Sequence, residues 1–168
     1  EHYRLIIRPH PQYKVRFPKK MEDLLQKYQR QMGENFIIET DFSSNITIFT
    51  ADLVITDWSS IAYDFSYTTK RPTLFINTPM KIINPNYSCI GIVPLDISLR
   101  NMIGVSLDIN ELSSNLKNTV DYLISNPEKY TKSIERALEL SVFNLGKSGD
   151  VGGKYILDVI MKKQFSRK

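Results

Sequence analysis

The sequence predicts an α/β fold of the Rossmann-like kind, in which a parallel sheet is covered by helices on both faces. Short apolar runs typical of buried strands alternate with amphipathic segments typical of helices. Residues 51–79 show this most clearly, because an apolar strand, a polar turn, a helix and a second apolar strand follow one another there. Strands that alternate with helices at this spacing indicate a parallel sheet.

Composition sets the outer limits of the prediction. The chain has 168 residues, 42% of them hydrophobic, which is enough to bury a core, and we expect a single domain over residues 1–168. Its net charge of +4 favours anionic ligands, without choosing between nucleotide, nucleic acid and lipid headgroup. One cysteine, Cys89, and two histidines predict neither an intrachain disulfide nor a metal site. No apolar run reaches the roughly 18 residues that cross a bilayer.

The predicted elements follow in order along the chain. Because it opens on Glu1 and enters a strand at once, we expect a fragment cut from a longer protein at a domain boundary. The predicted strands are 3–7, 36–39, 53–56, 73–76 and 105–107. The predicted helices are 21–32, 45–50, one from Ile61 to the Arg71-Pro72 stop, 111–124, one from Asn126-Pro127 to Leu140, and a last one ending at Lys163. A loop at 80–94 and a glycine-rich turn at 146–153 complete the chain.

Polar side chains follow two of the predicted strands. Arg8 and His10 come after the first, in a loop that two prolines hold extended, and Asp57, Ser59 and Ser60 come after the third. Ligands bind beyond the carboxyl ends of parallel strands, so we expect these residues to form one site. A helix that opens at Ser59 and Ser60 would present backbone N–H groups and two hydroxyls, which suits a phosphate. The glycine fingerprint of dinucleotide sites and the phosphate-loop lysine motif are both absent, which argues against NAD binding and ATP hydrolysis.

Several segments together resemble the CDP-glycerol glycerophosphotransferase family of teichoic-acid primases and polymerases. The most specific is 51–60, ADLVITDWSS, followed by Asp64 and Phe65. The others are Arg8-Pro9-His10-Pro11, Lys70-Arg71-Pro72 and Gly146-Lys147-Ser148-Gly149. They cover most of the chain in the right order, although Trp58 stands where a tyrosine is commoner. The resemblance implies the C-terminal, donor-binding half of a two-domain GT-B transferase. It implies that the N-terminal domain is missing here, and that His10 matches one of two cleft histidines.

On that basis we expect a donor site for CDP-glycerol or a related CDP-alditol, with no separate cofactor. Ser60 and Asp64 lie one helical turn apart, about 6 Å along the axis, so the two serines would hold the diphosphate and Asp64 the ribose hydroxyls. Arg8, or Arg71 with its neighbour Lys70, would neutralise the leaving CMP phosphate. His10 would either deprotonate the acceptor hydroxyl or protonate the leaving phosphate.

The expected acceptor is lipid-linked or a glycan, and the expected location is the cytoplasmic, inner face of the cell membrane. No nucleic-acid partner is expected. The basic tail, with Lys162, Lys163, Arg167 and Lys168, either contacts an anionic membrane surface or is a solvated end. Part of an apolar stripe on the last helix, with Tyr155, Ile156, Val159 and Ile160, should be exposed or covered in a dimer because its partner domain is missing.

Each site residue also has a structural interpretation. Ser59 and Ser60 can be plain helix caps, Asp57 can cap the same helix, Asp64 can be a solvated position, and His10 can be a loop residue without chemistry. Lys147 and Ser148 in the glycine-rich turn belong either to a linker or to a second anion site. Two other functions remain open: a GT-B glycosyltransferase or epimerase that binds a UDP-sugar, and a non-enzymatic nucleotide-binding or docking domain.

Overall fold

A computed structural model describes residues 3–80, 82 and 84–165. The chain divides into two compact units, Glu1–Thr47 and Ile48–Lys168, and the division falls within a short helix, α3 (Ile46–Thr50). Each unit contains its own parallel sheet flanked by helices, which confirms the predicted α/β, Rossmann-like fold class. That residues 1–168 form a single domain stays a prediction.

The first unit is built on two parallel strands. In chain order it contains β1 (Leu5–Ile7), α1 (Pro11–Arg16), α2 (Pro18–Tyr28) and β2 (Phe36–Ile38). β1 and β2 pair in register from Leu5 opposite Phe36 to Ile7 opposite Ile38. Met21 of α2 and Ile38 are the buried hydrophobic residues of this unit.

Two features of this unit differ from the sequence prediction. α1 was missed, and α2 begins three residues before the predicted start at Met21 and ends at Tyr28, four residues before the predicted end at Met32. Prolines explain the missed helix and the earlier start, because Pro11 and Pro18 occupy the first position of their helices, where the absent N–H has no intrahelical partner in any case. A proline that appears to stop a strand can therefore open a helix instead.

The second unit is built on three parallel strands in the order β3-β4-β5. Its strands are β3 (Val54–Thr56), β4 (Thr73–Asn77) and β5 (Gly104–Asp108). Its helices are α4 (Ile61–Thr69), α5 (Leu95–Ser98), α6 (Arg100–Ile103), α7 (Leu112–Ser125), α8 (Glu128–Ser141) and α9 (Ser148–Phe165). Short 3-10 helices occupy Tyr87–Ile90 and Ile109–Glu111. The five strands and the helices α3, α4, α7 and α8 agree with the predicted segments to within a few residues, whereas α5 and α6 were missed.

The three-stranded sheet is covered on both faces. Phe75 belongs to a buried cluster with residues of α4, α6 and α8, whereas its neighbour Leu74 packs with Leu107 and with Leu123 of α7. Successive residues of a strand point to opposite faces, so these two clusters form the two sides of the sheet. Position 104, at the start of β5, has no space for a side chain. A Cβ there would lie 1.7 Å from the carbonyl oxygen of Thr73, so only glycine fits.

The predicted turn at 146–153 is wrong over most of its length. Chain reversal occurs earlier, at Asn144 and Gly146, both of which have positive φ. α9 then begins at Ser148 and includes Gly149, Gly152 and Gly153, since regular backbone bonds such as Val151 N–H to Lys147 O (3.0 Å) continue through the glycines. Glycine lowers helix propensity without forbidding the helix.

The predicted apolar stripe of α9 is exposed. Tyr155 is 69% exposed, Ile156 58% and Ile160 48%. In the predicted basic tail, Arg167 and Lys168 lie outside the described residues. Over the described residues, no helix combines the length and the apolar character that membrane crossing requires.

Candidate functional site

The amino end of α4 presents two serine hydroxyls. β3 ends at Thr56, the chain bends at Asp57 and Trp58, and Ser60 is the N-cap of the helix. The carbonyl of Ser60 accepts bonds from the N–H groups of Tyr63 (3.0 Å) and Asp64 (3.3 Å), so the backbone alone closes the first turn. The Ser60 side chain is exposed and makes no capping hydrogen bond. The plain-cap interpretation therefore does not hold for Ser60.

The predicted spacing of Ser60 and Asp64 is present in the structure. α4 buries Ala62, Phe65 and Ser66 against the sheet, and Asp64 is exposed, as Ser60 is. Positions four residues apart share one face of a helix, here the face opposite the buried one. A carboxylate thus lies one turn beyond the hydroxyl at the helix start.

Ser59 is more constrained than Ser60. Its side chain is half-buried, and its Oγ accepts a long hydrogen bond of 3.5 Å from the N–H of Ile61. Its carbonyl accepts from the N–H of Ala62 (3.3 Å). Ser59 therefore has a weak capping role, and its hydroxyl keeps the capacity to donate.

A buried arginine, Arg100 of α6, holds the turn that leads into α4. Its Nη1 donates to the carbonyl of Asp57 (3.2 Å) and its Nη2 to Oδ1 of Asn77 (3.0 Å). The guanidinium carbon lies 4.0 Å from the centroid of the Trp58 ring and 4.2 Å from that of Phe75. Arg100 is only 5% exposed. One cation therefore joins the carboxyl ends of β3 and β4.

The network continues to the third strand. Nδ2 of Asn77 donates to Oδ1 of Asp108 (2.7 Å), the last residue of β5. Asp108 also forms a capping box with Glu111, whose carboxylate accepts the Asp108 N–H (2.9 Å). The polar groups at the carboxyl ends of all three strands are thereby linked in one row. This edge of the sheet is the position where ligands bind in open α/β sheets.

Burial shifts two pKa values near this row. Desolvation lowers the pKa of Arg100, and the opposing effects of Tyr63, Asp57 and Asp96 are smaller. Burial, followed by the negative charge of Asp96, raises the pKa of Tyr63 to about 12. Tyr63 therefore keeps its phenol proton at neutral pH, and Arg100 keeps its charge because a guanidinium does not deprotonate in proteins.

A cavity of about 260 Å³ opens beside Trp58. Its described lining is mainly apolar, and its polar members are Asn84, Tyr87 and Asp96. The indole Nε1 donates to the carbonyl of Thr78 (2.8 Å), which fixes the ring at the edge of this space. Most lining residues come from the loop predicted at 80–94, of which 81 and 83 lie outside the described residues.

Arg71 lies at the opposite edge of the sheet from Ser60. It precedes β4, its Nη1 donates to the carbonyl of Ala51 (2.6 Å), and it forms an ion pair with Asp52 at 3.5 Å. Ala51 and Asp52 precede the parallel strand β3, so these contacts are at the amino ends of both strands. We therefore leave Arg71 out of the proposed donor site.

Arg8 and His10 belong to the first unit. The Arg8 guanidinium pairs with the carboxylate of Glu39 and donates to Ser44 O (2.8 Å) and Asn45 Oδ1 (2.9 Å), so most of its donors are used within the protein. Thr47 joins the network by donating to Glu39 (2.9 Å). The predicted common site of Arg8 and His10 with Asp57, Ser59, Ser60 and Asp64 stays a prediction.

His10 is the N-cap of α1. Its Nδ1 accepts a hydrogen bond from the N–H of Gln12 (3.1 Å), and its side chain is exposed. An imidazole nitrogen that accepts must be unprotonated, so in the neutral ring the proton is on Nε2. The residue keeps the extended backbone predicted from the prolines, but in a capping position and not in an irregular loop.

Sequence reasoning missed Arg100 and Asp96. The only available signal was a single arginine between the apolar residues Leu99 and Met102, in a segment without a clear helical or strand period. The partners of Arg100 come from two distant segments, the turn after β3 and the strand β4, which no local pattern indicates. Among the described residues, no group of three or more histidine, cysteine or acidic side chains is arranged to hold a metal ion.

Comparison with known proteins gives one family match. Residues 1–81 match the family model described as CDP-Glycerol:Poly(glycerophosphate) glycerophosphotransferase, which confirms the predicted family relationship over 81 of the 168 residues. The matched segment contains all the predicted site residues, from Arg8 to Arg71, whereas Asn84, Tyr87, Asp96 and Arg100 lie beyond it. No curated protein and no solved structure matches the chain.

Proposed function

We propose, from the membership of residues 1–81 in the glycerophosphotransferase family, that this chain is the donor-binding part of a transferase. The donor is CDP-glycerol or a related CDP-alditol, and the products are CMP and a glycerol-phosphate, or alditol-phosphate, ester of the acceptor. The observation that carries the proposal is the pairing of Ser60 and Asp64 on the exposed face of α4, directly after a parallel strand.

The donor's diphosphate would lie at the amino end of α4. The helix dipole favours negative charge there, and the hydroxyls of Ser59 and Ser60 can donate to phosphate oxygens. Asp64, one turn further on, can accept hydrogen bonds from both ribose hydroxyls. Arg100 contributes a positive charge behind the turn and holds the carbonyl of Asp57, so it is a positioning residue.

In the proposed reaction the acceptor hydroxyl oxygen attacks the β-phosphorus of the donor. A new oxygen–phosphorus bond forms, and the bond from the β-phosphorus to the bridging oxygen breaks, with its electron pair leaving on CMP. The hydroxyl proton is lost to a base. Charge builds up on the departing oxygen, where a hydrogen-bond or proton donor lowers the barrier.

His10 is proposed as that donor. Because Nδ1 already accepts from Gln12, the neutral ring presents an exposed Nε2–H, which can donate a hydrogen bond to the departing oxygen. Transfer of the proton itself would start from the imidazolium form. Of the two roles left open by the sequence, we propose assistance to the leaving phosphate. Arg8, two residues earlier, is proposed to hold the segment that carries His10, since its guanidinium is bound to Glu39 and Asn45.

The setting of the reaction is proposed by analogy with the family. A second, N-terminal domain would supply the rest of the cleft, and the acceptor would be lipid-linked or a glycan at the cytoplasmic face of the membrane. The basic end of the chain would then contact anionic lipid.

Titration calorimetry with CDP and UDP tests the donor site. We expect CDP to bind more tightly than UDP, and Ser60→Ala and Asp64→Asn each to weaken CDP binding about tenfold, since each removes a hydrogen bond to a charged or ribose group. The matched controls are Ser125→Ala at the end of α7 and Asp158→Asn on α9, both exposed and remote in sequence. Tighter binding of UDP would favour the UDP-sugar enzyme, and no binding of either nucleotide would favour a non-enzymatic domain.

A further inference from the structure

Helix α9 exposes apolar side chains around most of its circumference. Tyr155, Ile156 and Leu157 are consecutive and are 69%, 58% and 62% exposed, and Met161 is 51% exposed. Because consecutive residues are about 100° apart around a helix, three in a row do not share one face. A helix that is apolar all round is typical of a buried position. α9 therefore has the composition of a covered helix, although its own chain leaves it largely uncovered.

The charged residues of α9 form a regular series. Asp150, Lys154, Asp158 and Lys162 are spaced by four residues and alternate in sign, and the fifth charged residue, Lys163, directly follows the last of them. Positions four residues apart lie along one side of a helix, so the series is a single stripe. All four side chains are exposed, and none forms an ion pair within the described part of the chain. Their charges are therefore available to a partner.

A second copy of α9 that runs antiparallel presents the complementary stripe. Read backwards, the series of charges is basic, acidic, basic, acidic. Alignment of the two helices about Ile156 places Asp150 opposite Lys162 of the second copy. The same alignment places Lys154 opposite Asp158 of the second copy. A shift by four residues would bring like charges together, so the stripe specifies one register.

The stripe also specifies the direction of the pair. In a parallel pair the same side of the two helices lies on opposite flanks of the interface, so the stripe would meet no partner. In an antiparallel pair with twofold symmetry, each flank meets the same flank of the other copy. We propose that α9 pairs with α9 of a second copy of this chain, antiparallel and centred on Ile156. This inference goes beyond the proposed function and does not depend on it.

One side of α9 is better suited to this contact than the other. Gly152 and Val159 are half-buried in their own chain, and they are seven residues apart, so they lie on one face. Leu157 and Met161 lie on the opposite face, are exposed, and each precede a charged residue of the stripe. An apolar contact with oppositely charged pairs along its edge is the arrangement found in paired helices.

The shape of this exposed face is also complementary to a reversed copy of itself. Gly149 and Gly153 lie at the same four-residue spacing as Leu157 and Met161, in the first half of the helix. A Cβ at either glycine would have nothing within 4 Å, so no neighbour in the described chain requires glycine there. In the antiparallel pair the glycines of one copy face the large side chains of the other. Glycine, which is unfavourable inside a helix, would then permit close approach.

The expected dimer is weak. α9 has 18 residues and is about 27 Å long, so one helix pair buries less surface than a standard protein interface. Micromolar dissociation is typical of such small contacts. The charge pattern matters here more than the strength of binding, because charged pairs select partner and orientation.

Analytical ultracentrifugation of the 168-residue chain, from about 1 to about 300 μM, tests the proposal. We expect a reversible equilibrium between monomer and dimer. Asp158→Lys should raise the dissociation constant about tenfold, because it makes two symmetry-related pairs with Lys154 repulsive. Adding Lys154→Asp should restore the parental dissociation constant, because each pair then again has opposite charges.

Mixing two variants tests the direction of the pair. Lys154→Asp with Lys162→Asp makes the stripe wholly acidic, and Asp150→Lys with Asp158→Lys makes it wholly basic. Each variant alone should be monomeric at concentrations where the parent chain is a dimer. An equimolar mixture should form a heterodimer, since only unlike stripes attract.

The exposed ion pair between Arg136 and Glu139 on α8 supplies the matched control. Glu139→Lys reverses an exposed helical charge beside a basic neighbour, and it should leave dimerisation unchanged. Circular dichroism separates loss of the helix from loss of the dimer. If Asp158→Lys loses helix content, the mixing experiment provides the comparison.

Three results would overturn the proposal. The first is a monomeric parent chain at every concentration, which is the result expected if only a different protein segment covers α9. The second is dimerisation of Asp158→Lys as tight as that of the parent, or no recovery in the double variant. The third is formation of larger aggregates that charge reversal does not affect. CDP binding in calorimetry decides the proposed function separately.

Discussion

Each of the two units contains an arginine that binds several groups within that unit, and the two arginines differ in the kind of partner they have. Arg8 follows β1 and pairs with a carboxylate, that of Glu39, so its charge is balanced where it lies. Arg100 donates to two neutral oxygens, on Asp57 and Asn77, and lies against two aromatic rings. Within the described part of the chain, no carboxylate forms an ion pair with Arg100.

The difference shows which arginine can act on an anion. A guanidinium already paired with a carboxylate presents less net charge to a ligand than one whose hydrogen bonds go to neutral oxygens. The charges of Asp57 and Asp96 also act on Arg100, but at a longer range than an ion pair. From the sequence, Arg8, or Arg71 with Lys70, was expected to balance the phosphate charge. We propose Arg100 for that electrostatic task and Arg8 for holding the segment that carries His10.

Removal of Arg100 is expected to have the largest effect. Arg100→Met keeps a flexible apolar side chain between the rings but leaves the Asp57 carbonyl and the Asn77 amide oxygen without their donor. We expect the free energy of unfolding to fall by about 3 kcal/mol, because two part-buried acceptor oxygens then lack a donor. Urea unfolding measures it, and exposed Arg136→Met should change it by less than about 0.5 kcal/mol. Equal effects of the two substitutions would refute the assigned role of Arg100.

Removal of Arg8 is expected to affect stability more than donor binding. Arg8→Met leaves the half-buried Glu39 carboxylate with Thr47 as its partner, and we expect a loss of about 2 kcal/mol of unfolding free energy. Adding Glu39→Gln should restore part of this loss, because no unpaired carboxylate then remains. A variant with parental stability but much weaker CDP binding would show that Arg8 is a donor ligand after all.

Moving a carboxylate from position 108 to position 77 would give Arg100 a carboxylate partner, as Arg8 has in Glu39. Asn77→Asp places a carboxylate beside Arg100 but also next to Asp108, 2.7 Å from the replaced nitrogen, and should cost about 1 kcal/mol of stability. Adding Asp108→Asn removes that repulsion and should restore stability. If the unbalanced charge of Arg100 assists the donor site, the double variant should bind CDP about threefold more weakly. Unchanged affinity in the stable double variant would limit Arg100 to a structural role.

The smallest expected effect is the alkaline titration of Tyr63. Its pKa is raised by burial from 10.0 to about 12, so the protonated phenol belongs to the folded state. This contribution to stability is therefore complete below pH about 10 and is lost as the pH rises through about 12. Tyrosinate absorbance should show a late component that Tyr63→Phe reduces and that Tyr155→Phe leaves in place; burial also raises the pKa of Tyr130, so part of the late component remains. Early titration of Tyr63 would contradict its assigned environment.

Much of the fold follows from local pattern. Alternating apolar strands and helices were readable because each of the five strands is an apolar run bounded by polar residues, glycine or proline, and because caps such as Asp108 mark helix starts. The pairing of Ser60 with Asp64 follows from helical periodicity alone. α1, α5 and α6 were missed because they have four to six residues, too few to show a period.

The rest of the site was hidden because it depends on contacts between distant segments. Arg100 meets Asp57 and Asn77 only after three strands are aligned, and the cavity beside Trp58 needs a loop whose sequence has no regular pattern. The turn that carries Arg71 adjoins the central helix in sequence, but Arg71 contacts residues at the amino ends of the strands. Two residues that are close in sequence can therefore lie at opposite ends of the parallel strands.

Amide chemical shifts give the most direct test that the amino end of α4 receives the donor. CDP is added to the uniformly nitrogen-labelled chain, and the shifts of all backbone N–H groups are followed by NMR. We expect the largest changes at Ser59, Ser60 and Ile61, smaller ones toward Asp64, and a CDP concentration at half-change about tenfold higher in Ser60→Ala. Changes centred elsewhere, or none at these amides under saturating CDP, would contradict the account.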